Sequence, residues 1–189
     1  MMYNSTMMAR PENILLTGKP GIGKTTIIKT LARRLAGFEP KGFYTEEVRG
    51  SGRRIGFMLR TLDGREAGLL AHIDIRSPWR VGRYGVAMEK FDEFLAGIEE
   101  EIVSGRLIMI DEIGKMECFS TPFRELITAI LNAGNIFIGT IAEKGGGFLE
   151  DIRKRKDVEI VSITRENRDD LLERLEHRIR KCILHPVQK

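Results

Sequence analysis

Asn13-Ile14-Leu15-Leu16-Thr17 runs straight into Gly18-Lys19-Pro20-Gly21-Ile22-Gly23-Lys24-Thr25-Thr26, and the reading of this stretch decides the fold. A short apolar run ended by glycine reads as a strand buried in a parallel sheet. From Lys24 to Leu35 the apolar positions Ile27, Ile28, Leu31 and Leu35 recur at helical spacing, and Gly37 is the stop signal. Between strand and helix, Gly18 to Thr25 satisfies G-x-x-x-x-G-K-[ST] in full. The glycines let the backbone wrap close to an anion with its amide N–H groups turned inward. The helix aims its positive end at the same point. In such a loop the lysine, here Lys24, reaches the β- and γ-phosphates, and the hydroxyl of Thr25 completes a magnesium shell.

The second informative run is Leu107-Ile108-Met109-Ile110-Asp111-Glu112-Ile113-Gly114. Four apolar residues place Asp111 at the carboxyl end of a buried strand, where open α/β sheets bind ligands. This is the form of a Walker B element. Asp111 and Thr25 are the candidate metal residues, and Mg²⁺ is the expected ion because it keeps much of its hydration shell and needs few protein ligands. Glu112, next in the chain, is the candidate for polarising an attacking water. Asp111-Glu-Ile-Gly114 also fits the D-x-x-G element of GTPases, but no N-K-x-D-type base-reading element ends any strand.

Around these two runs, strands and helices alternate. Gly42–Val48, Arg54–Leu59 and Gly68–Ile73 are strand-like, and Gly50-Ser-Gly52 and Asp63-Gly64 separate them with turn chemistry. They predict an antiparallel β-meander inserted at about 42–73. Helices are expected from Ala87 to Val103 and from Thr121 to Leu131, with Pro122 tolerated in the first turn. Further buried strands are expected at Asn135–Ile141 and Val158–Ile163. A last helix is expected from near Thr164, carrying Leu171, Leu172, Leu175, Ile179 and Ile183 on one face. The fold class is therefore α/β: a three-layer core with a mostly parallel sheet. Residues 1–12 read as a loose leader and 13–189 as a single domain.

With 189 residues, the chain is long enough for one core without staples. No stretch approaches the roughly 18–20 apolar residues of a membrane span. Cys118 and Cys182 lack metal-ligand spacing and read as small buried hydrophobes in a reducing cytoplasm. The net charge of +4 is spread over the chain without one long basic run, which reads as a mixed surface with some excess near an anionic substrate.

At these residues the chain resembles the thermophile P-loop nucleoside-triphosphatase family, the THEP type. The stretches that carry the resemblance are Thr17–Thr26, Gly42-Phe-Tyr-Thr-Glu-Glu-Val-Arg49, Val81-Gly-Arg-Tyr-Gly-Val86, Ile110-Asp-Glu-Ile-Gly-Lys-Met-Glu117 and Glu166-Asn-Arg-Asp169. They cover nearly the whole chain, and the string ending in Glu117 is the most discriminating. The resemblance implies a RecA/AAA-like core and Mg²⁺-dependent hydrolysis of ATP, GTP, CTP and UTP with little base preference. It also implies nucleotide contacts from Gly18 to Thr25 and from Leu107 to Gly114. Glu143-Lys-Gly-Gly-Gly147 departs from the pattern as a glycine link to the next helix.

Lesser candidates follow from position. Thr140, at the end of the third buried strand, is placed to sense a terminal phosphate or to pack. Arg153 is a candidate arginine finger on a short basic segment that otherwise reads as a solvated face. Arg80 and Arg83 are candidates for pointing into the site, and Glu46 and Glu47 read as edge-strand charges. Two other classes compete with hydrolysis: a nucleoside or nucleotide kinase, for which the basic segment Arg153–Lys156 would be a lid, and a nucleic-acid-linked ATPase, for which the chain shows no added binding module. The sequence is silent on oligomeric state.

Overall fold

A computed structural model describes residues 12–185. The leader expected at 1–12 lies outside the described residues except for Glu12. In chain order the elements are β1 (Asn13–Thr17), α1 (Lys24–Arg34), β2 (Lys41–Gly50), β3 (Arg53–Thr61), β4 (Glu66–His72), β5 (Arg80–Val81) and β6 (Tyr84–Val86). There follow α2 (Met88–Val103), β7 (Leu107–Ile113), α3 (Thr121–Asn132), β8 (Ile136–Ile141), α4 (Phe148–Lys154), β9 (Val158–Ser162) and α5 (Arg168–Leu184).

Among the described residues nine strands form one sheet in the order β5-β6-β4-β3-β2-β7-β8-β1-β9. The β2-β7-β8-β1-β9 half is parallel, and β2 to β6 pair antiparallel. The side-chain period of two sends each core strand to both layers. Ile14 and Leu16 of β1, with Leu107 and Met109 of β7, pack against Ile28 and Leu31 of α1 and Leu175 and Ile179 of α5. Leu15, Ile108 and Ile110 share the other cluster with Phe91 of α2, Phe123 of α3 and Leu149 of α4. The result is the three-layer α/β arrangement expected, with a parallel core and an antiparallel extension.

The meander departs from expectation in two ways. Its first strand is not inserted: Lys41–Tyr44 pairs in parallel with Ile108–Asp111, so β2 belongs to the core before it turns to face β3. The antiparallel part also runs on past Ile73, through β5 and β6 to Val86. The last helix starts at Arg168 rather than near Thr164. Thr164 N–H donates to Asn167 Oδ1 at 2.8 Å, and Asn167 N–H donates to Thr164 Oγ1 at 3.3 Å. That closed turn takes up the Thr164 hydroxyl, and Asn167 becomes the residue preceding the helix.

Close packing of β2 on β7 makes Gly42 indispensable. Its φ is 130°, and a Cβ there would stand 1.9 Å from the carbonyl oxygen of Met109. Left-handed backbone strain and overpacking each cost about 1–3 kcal/mol. Gly42→Ala is therefore expected to lower unfolding free energy by about 3 kcal/mol or more, read as a lower urea midpoint at unchanged slope. An unchanged midpoint would mean that β2 and β7 are not held this closely.

Helix α1 shows what its N-terminus is left open for. It begins after Gly23, which has φ 108° and supplies no side-chain cap, and its first turn carries no acidic residue. A cap is worth about 1 kcal/mol, whereas each large apolar side chain buried contributes about 1.5–3 kcal/mol. Ile27, Ile28 and Leu31 are buried, so packing holds α1 in place without the cap. The helix thus presents uncapped N–H groups toward the loop before it. By contrast α3 is capped by Ser120, whose Oγ accepts from Phe123 N–H at 3.0 Å.

Candidate active site

The carboxyl ends of β1, β7 and β8 form one row, which Tyr44 of β2 extends. Leu16 pairs with Thr140, Ile110 with Gly139, and Tyr44 with Asp111. The loop Gly18–Gly23 rises from β1 into α1, so Lys24 and Thr25 sit over this row. Gly21 has φ 76°, a conformation that side chains resist, which keeps the loop's backbone free to curl. Lys24 Nζ donates to the carbonyl of Gly18 at 3.0 Å, folding the ammonium back across the loop.

Asp111 is the centre of the arrangement. It is 2% exposed. Thr25 Oγ1 donates to its Oδ2 at 2.6 Å, and Thr140 Oγ1 donates to its Oδ1 at 2.6 Å. Thr45 Oγ1 donates to its backbone carbonyl at 3.1 Å. Burial pushes the Asp111 carboxyl up from the usual range, while the hydroxyls of Thr140 and Thr25 and the charge of Lys24 pull it back down. Glu112 is likewise raised by burial; Lys24 opposes that rise and Asp111 adds to it. Among the described residues neither acid has a Lys or Arg at ion-pair distance. A buried carboxylate with two hydroxyls and no cation is costly, and its donor set fits a hard divalent ion.

The sequence profile of the family described as NTPase matches residues 13–176, which spans the whole of this row. The chain belongs to the NTPase family. Among its relatives, the nucleoside-triphosphatase THEP1 of Thermotoga sp. is 46% identical over 160 residues, 84% of this chain and 90% of that protein. The human cancer-related nucleoside-triphosphatase is 41% identical over 181 residues, 87% of this chain and 94% of that one. The crystal structure of THEP1 from the hyperthermophile Aquifex aeolicus superposes with a TM-score of 0.75 at 36% identity, covering 86% of this chain and 96% of that one.

In this NTPase the structure gathers Gly18 to Thr26 and the strand Leu107–Ile113 with Gly114 at one end of the sheet, as the two motifs predict. Thr140 also lies where expected, on the strand beside β7, and it bonds Asp111. The arginine candidates have backbone partners in the described structure. Arg153 donates to the backbone carbonyls of Ala142 and Gly145, bracing the glycine link that leaves β8. Arg80 donates to the carbonyls of Ile75 and Arg83, and Arg83 bonds the Arg54 carbonyl and the Tyr84 hydroxyl, so both serve the β5–β6 hairpin. Glu46 is not a free edge charge, because two cations hold its carboxylate. It pairs with Lys29 of α1 and Arg60 of β3, each at 2.6 Å, and Lys29 also lies 4.4 Å from the centre of the Tyr44 ring.

Two residues at the site were not singled out from the sequence. Thr45 becomes relevant only once β2 is known to lie beside β7. Glu117, the last residue of the discriminating string, is 5% exposed. Its place at the end of the discriminating string was the available signal.

Proposed function

We propose that this protein hydrolyses the terminal phosphate of nucleoside triphosphates with Mg²⁺, releasing the diphosphate and inorganic phosphate, and that it accepts ATP, GTP, CTP and UTP with little base preference. The observation that carries this reading is the buried Asp111, bonded to Thr25 of the phosphate loop and to Thr140, with Glu112 beside it. The amide groups of Gly18–Thr25 and the uncapped start of α1 bind phosphate oxygens, which all four triphosphates share. Lys24 leaves the Gly18 carbonyl for the β- and γ-phosphates. Thr25 and Asp111 would hold the magnesium ion, which supplies charge neutralisation at the phosphate oxygens. Glu112 accepts a hydrogen bond from the attacking water and takes its proton as the bond to phosphorus forms. Leu107–Ile110 support the acids from below as a fully packed strand. Arg153, engaged with two carbonyls, is assigned to the loop rather than to the phosphates.

Among the described residues no helix is long and apolar enough to cross a membrane. The two thiols, Cys118 and Cys182, are free, which fits a reducing cytoplasm.

The test is a phosphate-release panel with the four triphosphates, each with Mg²⁺ and with a chelator in its place. Comparable rates across the bases, lost on chelation, are expected. Adding nucleosides or nucleoside monophosphates addresses the kinase reading: a phosphorylated acceptor that accumulates faster than free phosphate would overturn hydrolysis as the function.

A further inference from the structure

Just past β7 the chain makes a short 3-10 turn, Glu117–Phe119, that buries an acid with no assigned task. Its frame is rigid. Cys118 N–H donates to the Gly114 carbonyl at 3.0 Å, and Ser120 N–H donates to the Glu117 carbonyl at 3.0 Å. Ser120 then caps α3 and donates to Asp92 of α2 at 2.5 Å. Among the described residues no Lys or Arg pairs with the Glu117 carboxyl. Burying such a group costs several kcal/mol if it is charged, and a leucine or glutamine would fill the space at lower cost.

The geometry shows what the carboxyl is next to. A Cβ placed on Gly114 would stand 2.8 Å from Glu117 Oε2, 3.5 Å from Glu112 Cγ and 3.6 Å from Glu112 Cδ. The two glutamate side chains therefore meet at the one residue that has no side chain: a Cβ there would push against the Glu117 carboxyl and would lie in van der Waals contact with Glu112.

We propose that Glu117 is a positioning residue for hydrolysis: its carboxyl, seated against Gly114, holds Glu112 in the orientation from which it meets the attacking water. The inference rests on the reading of Glu112 given above. Glu117 does this as a neutral acid. Burial, with the charges of Glu112 and Asp111, pushes it up to about 8, against the pull of the N–H groups of Glu117 and Gly114. The groups around it are Asp111 and Glu112 on β7, Cys118 in its own turn (itself pushed up to about 12), Arg124 on α3, and Asp92 on α2 through Ser120. Protonated, it adds no repulsion to Glu112. Above about pH 8 it becomes a further negative charge beside Glu112, and turnover falls.

The experiment measures steady-state phosphate release from Mg-ATP across pH for the full chain and for Glu117→Gln, Glu117→Ala and Glu112→Gln. Glu117→Ala is expected to lower kcat about tenfold or more with KM changed less than about threefold, since the loss falls on the transition state rather than on binding. Glu117→Gln, neutral and of the same shape, is expected to keep kcat at pH 7 within about threefold and to abolish the alkaline fall. A Glu117→Gln profile that retains the wild-type alkaline fall overturns the proposal, as does wild-type kcat in Glu117→Ala. If the alanine variant does not fold, the glutamine profile decides alone. Wild-type turnover by Glu112→Gln would instead overturn the role given to Glu112, and this inference with it. An inactive Glu112→Gln beside a Glu117→Gln profile that keeps the wild-type alkaline fall overturns this inference only.

Discussion

Glu112→Gln is expected to bind Mg-triphosphate at least as well as the wild type and to hydrolyse it at least about a hundredfold more slowly. The amide copies the carboxylate in size, so the packing against Gly114 survives. It also removes a negative charge beside Asp111, which favours an anionic ligand. What is lost is a proton acceptor, and general-base catalysis contributes about 10²–10⁴-fold. Burial raises Glu112 toward neutrality, and a base works best when its pKa lies near the operating pH. The sign follows: hydrolysis needs the deprotonated form, so wild-type activity falls as pH drops through that raised pKa. The variant should lack this acid limb. Equilibrium binding paired with single-turnover phosphate release checks both halves, and turnover at the wild-type rate would take Glu112 out of the mechanism.

The parts of this site that were legible in the sequence are those built from neighbours in the chain. The phosphate-loop motif is eight consecutive residues, Gly18 to Thr25, running from a strand into a helix whose periods are unmistakable, and the Asp111-Glu112 pair ends an apolar run of four. What escaped depends on pairing between distant strands. Tyr44 and Asp111 are 67 positions apart in the chain, yet β2 pairs with β7 at that register. Nothing in Gly42–Val48 distinguishes a core strand from the first strand of a meander, since both alternate and both follow turn residues. That one ambiguity hid the place of Thr45 on the Asp111 carbonyl and turned Glu46 into an edge charge, although it bridges α1 and β3. The start of α5 was missed for a different reason. Thr164 and Asn167 are both good helix-preceding residues, and only their reciprocal hydrogen bonds select the second. Thr140 was legible because a polar residue at the end of a buried strand lies on the ligand side of any parallel sheet.

Lys24→Ala is expected to carry the larger loss, about 10³-fold or more in kcat/KM, because the ammonium acts on both binding and chemistry. In the structure it donates to the Gly18 carbonyl, within a loop whose other phosphate-facing donors are backbone amides. Hydrogen bonds to a charged group are worth about 1.5–3 kcal/mol each, which alone is roughly 10- to 150-fold in affinity. The second effect runs through the acids. Lys24 opposes the rise of both Asp111 and Glu112; without it both are held further toward the protonated form, one losing its hold on the metal and the other its capacity as a base. The two losses multiply. Stability should be nearly untouched, because the buried face of α1 is made by Ile27, Ile28, Leu31 and Ala32. Calorimetric titration with Mg-ATP, phosphate release and a melting curve separate the possibilities. Lost affinity and turnover at an unchanged melting temperature are expected, whereas wild-type binding by a folded Lys24→Ala protein would mean that the loop grips phosphate by its amides alone.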